Sequence, residues 1–238
     1  MCMMRGVELM ANKTIPEIKG TLRKHLIEAP IAIRDASGIR IFGKRLKSFV
    51  FTTDVAIIKN TNADAVIAVY PFTPQPLITG SLILAADVPV FCGVGGGITT
   101  GKRVINLALD AEFKGAMGVV VNNPIPNEII TQLRDTIDIP IIVTVVSEYE
   151  DIESRINSGA SILNISGAKR TAYIVRKIRE KYPDFPIIAT GGPNDDTVKE
   201  TIAAGANAIT FTPPSTAKIL NDIMTQYRKR YEEEYKEL

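Results

Sequence analysis

The stretch Asp138-Ile139-Pro140-Ile141-Ile142-Val143-Thr144-Val145 joins a turn to an unbroken apolar run, and similar stretches recur along the chain. Apolar runs that begin at Val90 and Ile187 are introduced in the same way, by Asp87-Val88-Pro89 and Asp184-Phe185-Pro186. Proline at the first residue of a strand loses no hydrogen bond of a central ladder, so each Asp-x-Pro predicts a strand start. Internal repetition of this kind is the main evidence for the architecture.

Eight apolar runs predict strands, at residues 49–52, 65–69, 90–93, 118–121, 141–145, 162–165, 187–190 and 208–211. Their near-continuous Val, Ile, Phe and Ala content is typical of parallel strands that are covered on both faces. Helical patterns alternate with the strands, as at 100–112, 128–136, 149–158, 171–182 and 196–204. Alternating strands and helices indicate βαβ units and a parallel sheet.

The even-numbered strands follow a second signal, a small residue with Ala or Asp, as in Gly159-Ala160 and Gly205-Ala206. The repeating unit therefore has two strands and two helices, and the chain contains four units. Four units predict an α/β fold, a closed (β/α)₈ TIM barrel, for which about 250 residues is a typical length. An open doubly wound sheet is the weaker alternative because it gives no reason for a fourfold repeat.

The chain is predicted to form a single domain, 1–238, in which an extension at residues 1–43 precedes the barrel at residues 44–238. Residues 16–28 have an amphipathic helical pattern. Two runs at 31–34 and 39–42 flank Asp35-Ala36-Ser37-Gly38, which indicates a β-hairpin. At the other end, Ile219, Ile223, Tyr227, Tyr231 and Tyr235 form an i, i+4 stripe that favours a packing surface or a homo-oligomer contact.

Composition narrows the possible partners and compartment. The 238 residues carry 28 basic and 26 acidic side chains, so no clustered basic excess indicates nucleic acid or a membrane surface as a partner. The two cysteines, Cys2 and Cys92, are too few and too far apart for a disulfide framework. The opening residues lack the apolar stretch of about 7–15 residues found in signal peptides. No apolar run approaches the roughly 20 residues of a membrane span, so a cytoplasmic protein is expected.

Active sites of TIM barrels lie at the C-terminal ends of the strands, which directs attention to the residues that end each run. Alignment of the repeats places Thr52, Gly93, Thr144 and Thr190 together on the odd-numbered strands. The equivalent residues of the even-numbered strands are Tyr70, Asn122, Ser166 and Thr212, and the ring two residues deeper contains Ala68, Val120, Asn164 and Thr210. These positions are predicted to face the barrel interior, either lining a ligand site or bonding among themselves.

No predicted strand carries Lys, Arg, His, Asp or Glu, so ionisable groups must come from the loops. Asp54 follows the first strand and is either a general base or a helix N-cap. Lys169 is a second catalytic candidate, and Tyr70 would act with Asn122 to orient a substrate. The sole histidine, His25, lies in the N-terminal extension, so no imidazole-bound transition metal is expected.

Three loops have features of anion sites. Gly191-Gly192-Pro193-Asn194 follows the seventh strand, where barrels often bind phosphate at a helix N-terminus. The run from Gly93 to Gly97 includes Gly95 and Gly96, although it is also a plausible flexible connection. Ser166-Gly167-Ala168-Lys169-Arg170 places two cations at a helix start, where a bound anion would relieve their conflict with the helix dipole.

The segment Ile188-Ala189-Thr190-Gly191-Gly192, followed by a helix and Gly205-Ala206, resembles the phosphate-binding part of the ribulose-phosphate-binding type of TIM barrel. That superfamily includes thiazole synthase, sugar-phosphate epimerases and lyases, and nitropropane-dioxygenase-like barrels. The resemblance implies that Gly191 and Gly192 hold phosphate, with Thr212 and Ser215 of the last loop completing the site. Pro213 and Pro214 depart from the pattern because they supply no N–H donor, and no strand carries the lysine of the aldolases.

Three functions follow from this pattern. The first is an enzyme, an isomerase, lyase or hydrolase, that acts on a small phosphorylated or carboxylated metabolite. The second is an FMN-dependent oxidoreductase, which the 6% aromatic content and the absence of Trp make less favourable for flavin stacking. The third is a ligand-binding barrel without catalytic activity. The cofactor is otherwise undetermined, and the expected partner is a small anionic metabolite.

Overall fold

Eight parallel strands close into a barrel in the computed structural model, which describes residues 16–18, 20–21 and 26–236. The barrel strands are β3 (Ser48–Phe51), β4 (Ala65–Ala68), β5 (Val90–Gly95), β6 (Gly118–Val121), β7 (Ile141–Val145), β8 (Ile162–Ile165), β9 (Ile187–Thr190) and β10 (Ala208–Phe211). Each strand pairs with the next in sequence, and β10 pairs with β3 to close the ring. The predicted TIM barrel is therefore confirmed, and five of the eight strands have the predicted bounds.

In the described part of the chain, seven helices connect successive strands and cover the outside of the barrel, and an eighth follows the last strand. They are α1 (Val55–Lys59), α2 (Pro76–Ala85), α3 (Lys102–Phe113), α4 (Asn127–Arg134), α5 (Ile152–Ser158), α6 (Thr171–Lys181), α7 (Asp195–Ala203) and α8 (Thr216–Lys236). Alternate strand residues pack outward against these helices, as Val66, Val119 and Leu163 do. The opposite set points inward and fills the barrel, as Phe49, Phe91 and Ile188 do. The core therefore has an outer and an inner layer that share the strands.

The N-terminal hairpin is present, but its strands and its turn are formed by other residues than predicted. Residues Ile31–Asp35 form a 3-10 helix, and the hairpin strands are β1 (Ile39–Ile41) and β2 (Lys44–Leu46). The turn is Phe42-Gly43, whose φ angles of 44° and 82° are both positive. Two positive φ angles are the signature of a type I′ hairpin turn, which matches strand twist. The Asp35–Gly38 segment instead leads into the first hairpin strand.

The helix predicted for residues 16–28 falls partly outside the described residues, at positions 19 and 22–25. None of the described residues in that range is helical, and Ile18, expected on its apolar face, is 99% exposed. A short parallel bridge between Ile27 and Thr61 is the regular structure found there. The predicted helix is therefore not supported in the described part, and His25 lies outside it.

The hairpin closes the N-terminal end of the barrel. Ile39, Ile41 and Leu46 pack into the same cluster as the inward-facing strand residues. The N–H of Gly38 donates to the carbonyl of Asn207, 2.7 Å away, directly before β10. Because this end is plugged by apolar side chains, the opposite, C-terminal end is where the strands can present polar groups to a ligand.

Candidate functional site

The barrel interior is divided into an apolar half and a polar half. Strands β3 to β6 supply the apolar half, in which Phe49, Ile67, Phe91 and Val120 are buried. The polar half is formed by β7 to β10, and its side chains come from Thr144, Asn164, Thr190 and Thr210, with Ser166 just above. Register pairs Thr144 with Asn164 and Thr190 with Thr210. Asn164 lies opposite Ile188, so the arc steps toward the C-terminal end between β8 and β9, where Thr190 contacts Ser166.

Hydrogen bonds within the polar arc are few and long. The Nδ2 of Asn164 donates to the Oγ1 of Thr144 at 3.4 Å, and the Oγ1 of Thr190 donates to the Oγ of Ser166 at 3.4 Å. Two buried atoms of the arc, Asn164 Oδ1 and Thr210 Oγ1, have no hydrogen-bond partner. Buried polar atoms are nearly always paired, so a pair of orphans inside one arc calls for a functional explanation.

Above the apolar half lies an open cleft of about 240 Å³, lined by Tyr70 and Asn122 among others. The hydroxyl of Tyr70 accepts the N–H of Gln75 at 2.8 Å, which orders the loop after β4. Gly96 has a φ of 104°, and a Cβ there would lie 2.6 Å from the backbone nitrogen of Asn122. Gly95 is equally constrained, since its Cβ would meet the Thr99 carbonyl at 2.7 Å. These two glycines therefore fold the loop tightly onto β6.

Asp54 is the N-cap of α1. Its Oδ1 accepts the N–H groups of Ala56 at 2.8 Å and Ile57 at 3.3 Å. Its Oδ2 accepts the hydroxyl of Thr216, which starts α8. The Thr216 hydrogen bond, together with the two N–H donors, lowers the pKa of Asp54 against the opposing effect of partial burial. Of the two roles considered for this carboxylate, the cap is therefore the one present.

The loop after β8 holds the two predicted cations. Arg170 donates from one nitrogen to both oxygens of Glu148, at 2.6 and 2.5 Å, and lies over the ring of Tyr173. The hydrogen bond to Glu148 raises the pKa of Arg170. Lys169 is exposed and forms no hydrogen bond or ion pair with a described residue. Of the two predicted cations, Lys169 is therefore the one without an ion pair to a described residue. Arg170 is paired with Glu148, a residue that no sequence pattern singled out.

The backbone of the loop after β9 is hydrogen-bonded and packed within the fold at Gly191. The N–H of Gly191 donates to the carbonyl of Thr210 at 3.1 Å, and a Cβ on Gly191 would meet Ile209 and Val198. Gly191 is thus a packing residue against the outer layer, and its N–H is not free for an anion. Gly192 has a φ of 80°, which favours glycine.

The helix that follows, α7, begins with a side-chain cap and two acidic residues. The side chain of Asn194 accepts the N–H of Thr197 in a reciprocal capping box, and Asp195 and Asp196 occupy the first turn. Acidic residues in the first turn compensate the positive end of the helix dipole. In the last loop, Ser215 accepts the N–H of Lys218 at 3.2 Å and Thr212 is exposed.

The structure brings the loops after β8 and β9 to the same end of the barrel, because these strands are parallel neighbours. Arg170 pairs with Glu148 and the N–H of Gly191 donates to Thr210, so each of these two groups already has a partner within the fold. Thr52 and Ala68 were assigned to the wrong face. Phe49 and Ile67 are the inward residues of β3 and β4, so Thr52 and Ala68 have the outward parity.

The described residues were also compared with the requirements of a metal site and of a membrane-spanning helix. No group of three or more His, Cys, Asp or Glu side chains is placed there to hold a metal ion. None of the described helices combines the length and apolar character that crossing a membrane requires.

No protein family model matches the chain, and no curated protein matches its sequence. Solved structures do match. A 2,3-dimethylmalate lyase, described as a PEP mutase/isocitrate lyase superfamily member, aligns with a TM-score of 0.60 and 12% identity over 85% of this chain and 82% of that one. A phosphonopyruvate hydrolase in complex with oxalate and Mg²⁺ aligns with a TM-score of 0.58 and 11% identity over 80% and 83%.

A third match is the 4-hydroxy-tetrahydrodipicolinate synthase of Methylacidiphilum fumariolicum SolV, with a TM-score of 0.53 and 16% identity over 70% of this chain and 68% of that one. At such low identity the matches establish the fold. The class of protein is therefore a TIM barrel, with a plugged N-terminal end and an uncharged polar arc at its mouth.

Proposed function

We propose that the barrel is an enzyme of the lyase or isomerase type that binds a small carboxylated metabolite in the polar arc. The observation that carries this proposal is the pair of buried, unpartnered atoms, Asn164 Oδ1 and Thr210 Oγ1. A buried polar atom without a partner costs roughly 1–3 kcal/mol, and a ligand that pairs with it recovers that cost on binding.

The chemistry of the arc indicates what the ligand presents. The free oxygen of Asn164 accepts a hydrogen bond, so it matches a hydroxyl or amino group. The hydroxyls of Thr210, Thr144 and Thr190 are able to donate to a carboxylate or a carbonyl oxygen. A short carboxylate with a hydroxyl, amino or keto group has this combination in a size that fits a barrel mouth.

A carboxylate fits better than a phosphate, which the ribulose-phosphate-binding resemblance would imply. The N–H of Gly191 is engaged by Thr210, and Asp195 and Asp196 stand at the start of α7. Each carboxylate there repels a phosphate dianion at the position where barrels of that superfamily hold one. Gly192 and Lys169 are the remaining anion-binding candidates of the two loops.

Proton transfer in such an enzyme would fall to Lys169 or Tyr70, because Asp54 is occupied as a helix cap with a lowered pKa. Lys169 lies in the segment that follows β8, the strand that carries Asn164, and has no ion-pair partner among the described residues. The carboxylated compounds named with structurally similar barrels, dimethylmalate, phosphonopyruvate and oxalate, support this substrate class.

A second function, a ligand-binding barrel without catalysis, is favoured by one observation. The arc consists of hydroxyl and amide side chains, and no ionisable side chain belongs to it in the described strands. Such an arc is able to bind a polar ligand without supplying a proton donor or acceptor of its own.

The test is thermal unfolding of the protein with a panel of short hydroxy-, amino- and keto-carboxylates, each matched by its amide and its phosphate ester. We expect a carboxylate to raise the unfolding temperature, since a ligand at about 100 times its Kd adds roughly 2.7 kcal/mol. Asn164→Leu and Thr210→Val should abolish this shift. The matched control is Thr201→Val, which changes an equally buried threonine on α7, away from the arc.

Turnover of each stabilising compound, followed by proton NMR, separates the two functions. Conversion that is lost in Lys169→Ala supports the enzyme, and stabilisation without conversion supports the binding barrel. A panel in which only phosphate esters stabilise the protein, equally in wild type and in Thr210→Val, would contradict the carboxylate proposal.

A further inference from the structure

The last helix, α8 (Thr216–Lys236), is the barrel helix that does not pack. None of its 21 residues is buried, and in the described part of the chain it has no extensive contact with another element. The 3-10 helix Ile31–Asp35 packs against α7, the helix that precedes β10. Ala32 and Ile33 join the cluster that contains Ile209 and Phe211.

The C-terminal half of α8 carries an exposed aromatic stripe with charges ordered around it. The stripe is formed by Tyr227, Tyr231 and Tyr235, which are 51%, 63% and 74% exposed. At about 100° per residue, Arg228 and Glu232 lie on one side of the stripe. Arg230 and Glu234 lie on its other side, and Lys229 and Glu233 point away from it. Each flank therefore has one cation followed by one anion.

Nothing within the helix favours this order of charges. Cation-before-anion is the less stabilising i, i+4 arrangement, and glutamates in the last turns oppose the helix dipole. Among the described residues, no ion pair involves positions 228–230 or 232–234. In the part of the chain that the structure describes, these charges have no ion-pair partner that would explain their placement.

We propose that the C-terminal half of α8 pairs antiparallel with the same segment of a second copy of this chain, about a two-fold axis at Tyr231. In that arrangement the side of the stripe that carries Arg228 and Glu232 faces the same side of the other helix, and the side that carries Arg230 and Glu234 does likewise. Arg228 then lies about 3 Å along the axis from the partner's Glu232, and Arg230 lies equally close to the partner's Glu234. By symmetry the contact contains four such pairs around a core of six tyrosines.

The charge order excludes the other simple arrangement. A parallel, in-register pair would place Arg228 beside the partner's Arg230 and Glu232 beside the partner's Glu234. Like charges at each of these contacts repel. The tyrosine rings suit the antiparallel contact because their faces are apolar and their hydroxyls reach the wet edge. This inference is independent of the proposed function at the barrel mouth.

The test compares two variants of identical composition and net charge. Arg228→Glu with Glu232→Arg inverts one flank but keeps every intermolecular pair attractive, so its dimer dissociation constant should stay close to that of the wild type. Arg228→Glu with Glu234→Arg makes all four antiparallel pairs like-charged and the parallel contacts attractive, so it should lose antiparallel pairing in favour of parallel pairing. Tyr235→Cys, added to this variant and to the wild type, reports the orientation, because equivalent cysteines are close enough for a disulfide only in a parallel pair. Sedimentation velocity over a micromolar concentration series measures the dissociation constants, and circular dichroism confirms that the variants fold.

Complementation separates pairing from any effect on the helix itself. An acidic variant, Arg228→Glu with Arg230→Glu, and a basic variant, Glu232→Arg with Glu234→Arg, should each be monomeric. An equimolar mixture should form a heterodimer, which a change of helix stability alone cannot produce. A monomeric wild type, a Tyr235→Cys cross-link in the wild type as strong as in the Arg228→Glu, Glu234→Arg variant, or a mixture without heterodimer would each overturn the proposal.

Discussion

The two halves of the barrel interior have the same backbone and opposite chemistry. In the apolar half, the rings of Phe49 and Phe91 pack edge to face with centroids 5.3 Å apart and are fully buried. In the polar half, the equivalent volume holds Asn164 and Thr210, each with a buried atom that lacks a partner. The side chains of the apolar half are therefore fully packed by the fold, whereas the polar half has hydrogen-bonding atoms that we expect a ligand to pair.

This difference separates stability from function within one ring of strands. Replacement of an apolar residue should cost stability, because its neighbours cannot fill the space. Replacement of an orphan polar residue should cost binding and leave stability equal or higher, because the unpaired atom is itself a cost. The largest loss of stability is therefore expected in the apolar half, and the smallest effect is expected at Asp54.

Phe91→Ala should cause the greatest loss of stability, about 3–5 kcal/mol, because it removes a fully buried ring from the apolar half. Chemical denaturation monitored by circular dichroism measures the loss. Phe91→Leu is the matched control and should lose markedly less, since it keeps part of the volume. Equal losses for the two variants would show that the loss comes from the ring contact with Phe49, which both variants remove, and not from the buried volume.

Gly118→Ala should destabilise the same half by about 1–3 kcal/mol through overpacking. Its Cβ would lie 2.8 Å from the Phe91 ring and 2.9 Å from the Pro140 carbonyl. If the ring is the main obstacle, combining the change with Phe91→Leu should cost less than the sum of the two single losses in the same denaturation experiment. Strict additivity would place the clash at the Pro140 carbonyl instead.

Thr210→Val should stabilise the unliganded protein by about 1 kcal/mol, because it replaces a buried hydroxyl that has no partner by a methyl of similar size. Thr201→Val should have the opposite sign, since the Thr201 hydroxyl donates to the Thr197 carbonyl at 2.8 Å. Differential scanning calorimetry distinguishes the two. If both variants are destabilised alike, the hydroxyl of Thr210 has a partner in solution.

Asp54 gives the smallest effect and a defined pH dependence. Its pKa in the folded protein is lowered, chiefly by Thr216, so its stabilising contribution is present above the unfolded pKa of about 3.9. That contribution is lost as the pH falls through the lowered folded pKa. Asp54→Asn keeps the helix cap and should lack this acid-dependent step, whereas Asp54→Ala should lose about 1 kcal/mol at neutral pH.

Denaturation of the three proteins between neutral and acidic pH measures this step. A step of the same size in wild type and Asp54→Asn would assign it to other carboxylates. Equal stability of wild type and Asp54→Ala at neutral pH would show that the cap contributes nothing.

The sequence was sufficient for the barrel because strand starts are marked chemically. Where Asp-x-Pro or a small residue precedes a run, as before Ile141 and Ile187, the predicted first residue of the strand matches the structure. The first strand has no such entry signal, so its inward residues were shifted by one and Thr52 was placed on the wrong face. A shift of one residue exchanges the two faces of a strand completely.

The site was harder to predict because it depends on which donors are already used. Gly191 and Arg170 have the residue types of an anion site and Asp54 has that of a general base, yet each has a partner in its own fold. Such pairing depends on neighbours distant in sequence, as Thr216 is from Asp54, and no local pattern reveals it. The hydroxyls and amides of the strands were visible as polar residues in apolar runs, and they form the arc.

The most direct test of the polar arc is the side-chain amide of Asn164, observed by nitrogen-15 NMR during titration with the carboxylate panel. Comparison with Asn164→Leu assigns the signal. We predict that it moves with the same midpoint as the thermal stabilisation and that Thr210→Val abolishes the movement. An Asn164 signal that stays fixed across the whole panel, or that moves equally in Thr210→Val, would contradict the account.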